Sequence, residues 1–363
     1  MFAHYGPQWL HFLDLTLAFA STASLSIMSS LSEALASEQR PSPALTLTLT
    51  LTLRYRRQAS KSEVTAVGIS PSTSSAFAVS LGCQASQSWV DVFDIDSQRG
   101  HSKTAGETAA FSPKGDRIAC LRDWTTQVGG GVEQRYASTV LIRDAVSGKT
   151  VVELKGATSW PLAWSRDGRY LAAGEASNGF ASGRMSVWDT RTGTRTGRIV
   201  SHLDTITHAV FTPDNNLVTQ SLDGTVRLSN PTTSKTLRRL EVESARRPHP
   251  RALAVSADGS RIASVWASTV QLWLPQADYI VSYAMNAVRR TEGWPLCVSP
   301  DGQRVACWTE DGVDLMDVGT GAVLCEQKTD VLVTAGAFSA DGRVLLLGRM
   351  DGMLEVWDVE QKE

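Results

Sequence analysis

The chain has 363 residues, 42% hydrophobic and 20% charged, the balance of an ordinary globular protein. Its net charge of −2 excludes a global pull towards nucleic acid or anionic membrane and leaves room only for a local basic patch. The five cysteines, Cys83, Cys120, Cys297, Cys307 and Cys325, form no CxxC and have no His at ligand spacing. Buried thiols in a reducing compartment fit them better than a disulfide framework or a zinc site, so no metal or cofactor is expected.

The chain opens with an apolar stretch, residues 9–27, interrupted by His11 and Asp14 and preceded by no Lys or Arg. A signal peptide wants a basic start, and a spanning helix wants about 20 residues almost free of charge. Secretion or anchoring through this stretch is therefore disfavoured, and the protein is expected in cytoplasm or nucleus. Residues 28–40 read as a short helix or tail that Pro41 and Pro43 stop, with Met1 and Met28 both open as the start. Residues 1–43 are thus a leader, disordered or weakly helical. The next run, ALTLTLTLTLRYRR at 44–57, alternates Leu and Thr with the period of a strand.

From there seven segments share an apolar run, a Ser or Thr and a turn: Ser70, Ser112, Ser165, Thr212, Ser256, Ser299 and Ser339. Their spacings are 42, 53, 47, 44, 43 and 40 residues. The last copy, FSADGRVLLLGRMDGMLEVWDVE at 338–360, is the clearest, with two Asp-Gly turns between β-rich runs. Each turn is followed by an apolar strand and then a second strand ending on an aromatic and an acid, as at Trp188-Asp189 and Trp357-Asp358, or on a degenerate version, as at Arg143, Ser229 and Met316. A period of 40 to 45 residues with four strands per unit is the signature of a β-propeller.

These residues resemble the WD40-repeat family, and the resemblance covers 44–363. It implies an all-β, seven-bladed propeller of four-stranded antiparallel blades. Residues 338–360 complete only three strands, so a strand within 44–57 is expected to supply the fourth and close the ring. The Leu–Thr alternation would let that strand slip by two residues without changing its face. The family's buried set of His, Ser or Thr, Asp and Trp is degenerate here. Blade four offers His202, Ser221 and Asp223 but has Ser229 at the Trp position. Blade seven has Asp351 and Trp357 with Thr329 and Arg349 where His and Ser would lie, and blade three has Trp188 with Lys155. Stability is therefore expected to rest on apolar packing between blades, and His202 with Asp223 is read as a structural pair rather than a catalytic one.

No P-loop, GxSxG, HExxH or calcium loop occurs, so the chain reads as no enzyme. Two insertions, near 122–138 in blade two and 174–184 in blade three, are expected as long loops on one rim. They offer Trp124, Tyr136 and Phe180 as aromatic anchors. Loops between blades on the same rim offer Arg246, Arg247, His249 and Arg251, then Arg289, Arg290 and Trp294, whose Arg forks suit carboxylate or phosphate. These readings favour a scaffold for protein partners, with an acidic or phosphorylated segment on the basic rim. An RNA- or ribosome-associated propeller is the alternative. A propeller enzyme working at the channel mouth is a third, for which converging His and carboxylates are missing.

Overall fold

The computed structural model describes residues 48–80, 88–126, 135–157, 159–177, 180–200, 202–241, 250–256, 258–266, 269–276, 279–284, 294–309, 312–318 and 320–362. The leader expected at 1–43 lies outside them. The first strand, β1 (Thr48–Gln58), precedes six consecutive four-stranded blades. Blade one is β2 (Val64–Ile69), β3 (Ser75–Ser80), β4 (Trp89–Asp94) and β5 (Gly100–Ala105). Blade two is β6 (Thr108–Phe111), β7 (Arg117–Thr126), β8 (Arg135–Asp144) and β9 (Thr150–Leu154). Blade three is β10 (Ser159–Trp164), β11 (Tyr170–Ser177), β12 (Phe180–Asp189) and β13 (Arg195–Val200). Blade four is β14 (Ile206–Phe211), β15 (Leu217–Ser221), β16 (Thr225–Asn230) and β17 (Lys235–Glu241). Blade five is β18 (Pro250–Val255), β19 (Ile262–Trp266), β20 (Thr269–Leu274) and β21 (Tyr279–Ala284). Blade six is β22 (Trp294–Val298), β23 (Arg304–Thr309), β24 (Gly312–Asp317) and β25 (Val323–Lys328).

Blade seven has β26 (Val333–Phe338), β27 (Val344–Arg349) and β28 (Met353–Lys362), and its fourth strand is β1, antiparallel to β28. The ring therefore closes with both ends of the chain, as the missing strand required. The Leu–Thr alternation leaves the register loose, and the second half of β1 fixes it. A bulge between Leu53 and Tyr55 shifts the pairing, and the arginines on either side of Tyr55 are each engaged. Arg54 binds Asp358 of blade seven and Asp96 of blade one. Arg56 binds the fully buried Glu355 at 2.9 Å. Arg57 reaches Asp91 and the Gln98 carbonyl, and its guanidinium lies 4.6 Å from the Phe93 ring centre. A two-residue slip would break all of these at once. The strand thus fastens blade seven to blade one as well as completing blade seven.

Two local devices explain the repeat. In six of seven blades the Ser or Thr after the first strand turns its hydroxyl onto the Asp of its own turn, as Ser339 does with Asp341 Oδ1 at 2.6 Å. In five of these turns a glycine takes the left-handed region, +69° at Gly342, which a side chain would resist, and in blade four Asn215 takes it at +60°. The Asp that ends the third strand does similar work one hairpin later: Asp94, Asp144, Asp189 and Asp317 each accept backbone amides of the next turn. Asp358 has no such turn to cap and takes Arg54 instead.

Apolar residues complete the ring. Seven buried clusters each join two adjacent blades, so every interface carries one. Blade seven packs on blade six through Leu49, Val313, Leu345 and Trp357, and on blade one through Val64, Ala78, Leu346 and Val356.

Candidate interaction face

Antiparallel alternation puts the connection between blades and the turn between second and third strands at one end of the disc, here called the upper rim. Backbone bonds tie the two kinds of segment together: Gly106 to Ser88, Leu222 to Thr205, and Met350 to Leu332. Both insertions belong to this rim, but neither is the long loop that the polar sequence suggested. In blade two, β7 and β8 stay paired from Arg122↔Thr139 out to Thr126↔Arg135, beyond the last partners of β6 and β9. In blade three, β11 and β12 stay paired to Ser177↔Phe180. Each insertion is a two-stranded ribbon rising from its blade, and the blades are neighbours. Trp124 stands opposite Ala137, Tyr136 opposite Thr125, and Phe180 closes its ribbon. The stretches lack the apolar alternation of a half-buried strand, which is why the pattern looked like loop.

The basic candidates separate. Arg246, Arg247, His249, Arg289 and Arg290 lie outside the described residues, and Trp294 is placed only as the first residue of β22. Arg251 departs from the expectation of an open rim charge. It sits within β18, half-buried, at a bulge between Pro250 and Ala252, and burial lowers its pKa. The His208 ring hydrogen-bonds its backbone.

The structural residues of blade four form a connected set. His202 is buried, its Nδ1 lies 3.0 Å from Asp223 Oδ2, and its Nε2 lies 2.7 Å from the Thr219 hydroxyl. Burial pushes the His202 pKa down to about 4 against the pull of Asp223, so the ring is neutral near pH 7. Nδ1–H then donates to the carboxylate and Nε2 accepts from Thr219. Thr225 joins through Asp223 Oδ1 at 2.7 Å. Ser221 is not the hydroxyl of this set: its Oγ donates to the Asp204 carbonyl and caps the turn amide of Asp223. Thr219, two residues earlier on the same face of β15, takes the place assigned to it.

Blade seven builds a substitute that the sequence hid. Arg349 is 5% exposed; its Nη1 donates to Glu355 at 2.6 Å and its Nη2 to Asp351 at 2.8 Å. Trp357 donates from Nε1 to the other Glu355 oxygen at 3.1 Å. Blade three has a third variant, with Glu175 held by the Arg198 fork and the Ser186 hydroxyl, while Trp188 is 1% exposed. Packing between blades is therefore supplemented by buried polar sets, a correction to the expectation of apolar packing alone.

Residues 193–229, which contain the His202 set, match the family described as WD domain, G-beta repeat. The matched stretch lies within a ring of seven four-stranded blades closed by β1. The chain is a seven-bladed β-propeller that carries a WD40 repeat. This WD40 propeller is similar to the guanine nucleotide-binding protein subunit beta of Oryza sativa subsp. japonica, 25% identical over 303 residues, 74% of this chain and 78% of that protein. The corresponding protein of subsp. indica is 26% identical over 306 residues, with the same shares. The small ribosomal subunit protein RACK1y of subsp. japonica is 31% identical over 153 residues, 39% of this chain and 44% of that protein.

The channel of the propeller holds a cavity of about 490 Å³ lined by inner-strand residues, among them Thr65, Thr108, Trp160 and Leu253. Glu107 and His208 are the acid and the histidine on its wall, and the His208 ring is committed to Thr207 and the Arg251 backbone. Among the described residues no group of three or more His, Cys, Asp or Glu is placed to hold a metal ion. Among them, too, no helix is long and apolar enough to cross a membrane.

Proposed function

We propose that this WD40 propeller is a non-enzymatic scaffold that holds protein partners on its upper rim. The observation that carries the reading is the pair of ribbons standing side by side on adjacent blades, on the rim from which residues 242–249 and 285–293 also depart. A rigid ring that presents variable segments at one end suits recognition, with affinity set by the segments and orientation by the ring. Arg246, Arg247, His249, Arg289 and Arg290 give that rim an affinity for an acidic or phosphorylated segment. The similar proteins are named as a subunit of one complex and a protein of the small ribosomal subunit, which agrees with a working life inside assemblies. Four reduced cysteines among the described residues fit a cytoplasmic or nuclear site.

The similarity to a small ribosomal subunit protein supports a second reading, association with ribosomes through RNA. Affinity purification with and without nuclease separates the two. A scaffold keeps its partners after nuclease, and loss of all of them decides for RNA. Reversing Arg246, Arg247, Arg289 and Arg290 to Glu should abolish capture at an unchanged melting temperature; capture that survives removes the basic segments from the site.

A further inference from the structure

The opposite, lower rim carries turns between first and second strands and between third and fourth. Their charge is uneven. With the strand residues that bound them, the four such turns of blades two and three hold seven basic and four acidic residues, whereas the equivalent turns of the other five blades hold five basic and eight acidic. Between blades two and three these turns border a groove of about 510 Å³. Its floor includes Trp164, whose Nε1 is already spent on the Ala110 carbonyl at 2.9 Å, and its rim includes Pro113.

Each acid in this groove accepts hydrogen bonds from its own turn. Asp116 accepts the Ser112 hydroxyl, and Asp167 accepts the Ser165 hydroxyl and the Arg169 amide. Asp189 accepts the amides of Arg191 and Thr192, with the Arg169 Nε at 3.6 Å from its other oxygen. Among the described residues, Lys114, Arg117 and Arg191 line the same groove without an ion pair. Lys114 and Arg191 are exposed and Arg117 is half-buried, and with Arg169 they give the groove four cations against its three carboxylates.

We propose that this groove binds a phosphorylated side chain of a partner polypeptide. A phosphoryl dianion offers three acceptor oxygens to the Arg117 fork and the two flanking cations. Trp164 and Pro113 give the adjoining residue of the peptide an apolar wall. A nucleic acid is the poorer fit, because its regularly spaced charges ask for a long basic track and this one ends at the borders of two blades. The site lies on the rim opposite the proposed scaffold surface, so each proposal fails on its own variants.

Fluorescence anisotropy tests it on the full chain. The probes are a labelled Ala/Gly peptide with one central phosphoserine, its unphosphorylated twin and a single-stranded RNA of similar length. The phosphopeptide should bind about tenfold or more tighter than its twin, and inorganic phosphate should compete. With Arg246, Arg247, Arg289 and Arg290 reversed to Glu, so that the upper rim offers no basic site, a preference for the phosphopeptide should remain, and adding Lys114→Gln, Arg117→Gln and Arg191→Gln should remove it. Equal binding of the twins by the native protein overturns the proposal without recourse to any variant. A preference that persists in the folded combined variant overturns it too, as does RNA bound more tightly than the phosphopeptide.

Discussion

Arg54 and Asp358 are 304 positions apart in the chain, and Arg54 Nε lies 3.1 Å from Asp358 Oδ2. The same guanidinium reaches Asp96 of blade one at 3.1 Å. One side chain from the first strand therefore joins the last strand of the ring to the blade beside it. Deleting residues 44–57 should abolish cooperative unfolding or leave the protein insoluble, read by circular dichroism and denaturant titration. Within the strand, Leu49→Ala should cost about 2 to 4 kcal/mol, because Leu49 is buried between blades six and seven. Thr52→Ala, on the exposed side, should stay within about 0.5 kcal/mol.

Blade seven depends on a buried charge network, and breaking one member should hurt more than removing two. Arg349→Met removes the buried cation from Glu355, which is 0% exposed and keeps only the half-exposed Arg56 and the Trp357 indole, and should lose about 3 kcal/mol of stability. Adding Glu355→Gln should recover part of that loss, because the buried charge that Arg349 balanced is gone. A strictly additive double-mutant cycle from urea unfolding would refute the coupling.

The neutral His202 gives the fold a pH dependence of definite sign. Its pKa falls from about 6.5 in the unfolded chain to about 4 in the folded one, so acid favours the unfolded state. The contribution is complete above pH 6.5 and is lost as the pH falls towards 4, with a magnitude of roughly 2 to 4 kcal/mol. His208 is lowered to about 4 as well, by burial, and acts in the same direction. His202→Asn should lower stability at pH 7 and flatten the slope between pH 7 and 5. A slope that matches the native protein's would show that the ring does not titrate as described.

Two glycines with positive φ should respond very differently to alanine. At Gly352, φ is +81° and an added Cβ would stand 2.2 Å from the Ser60 carbonyl oxygen and 2.7 Å from that of Ser62. At Gly156, φ is +86° and nothing lies within 4 Å. Gly156→Ala should cost the backbone term alone, about 1 to 2 kcal/mol. Gly352→Ala should cost at least about 1 kcal/mol more, because the link from β1 to β2 must move away. Equal melting temperatures would contradict the close approach.

What the sequence revealed was whatever is repeated. The Ser-to-Asp turns recur because each blade solves the same turn problem, and the shortfall of one strand in blade seven pointed to 44–57. What it hid was whatever occurs once. Arg349 looked like a polar defect in a strand, since the acid that neutralises it, Glu355, comes from the next strand at no family spacing. Thr219 and Ser221 share a face of β15, and only their distance from His202 distinguishes them. The ribbons read as loops because their residues lack the apolar alternation by which a strand is recognised. Arg251 read as rim charge because a bulge that draws it inward leaves no mark in composition.

The closing strand also fixes an order of events during translation. β1 is made before the other strands of the ring and its partner β28 after them, so it must wait unpaired until the rest of the ring exists. An unpaired Leu–Thr strand is a template for intermolecular β-pairing, and slow long-range closure lengthens its exposure. The arginines at the end of the Leu–Thr run carry charge along that edge during the wait, which discourages association. Expression conditions that slow elongation should therefore lower soluble yield more for this ring than for a circular permutant that begins at β2 and carries β1 after β28.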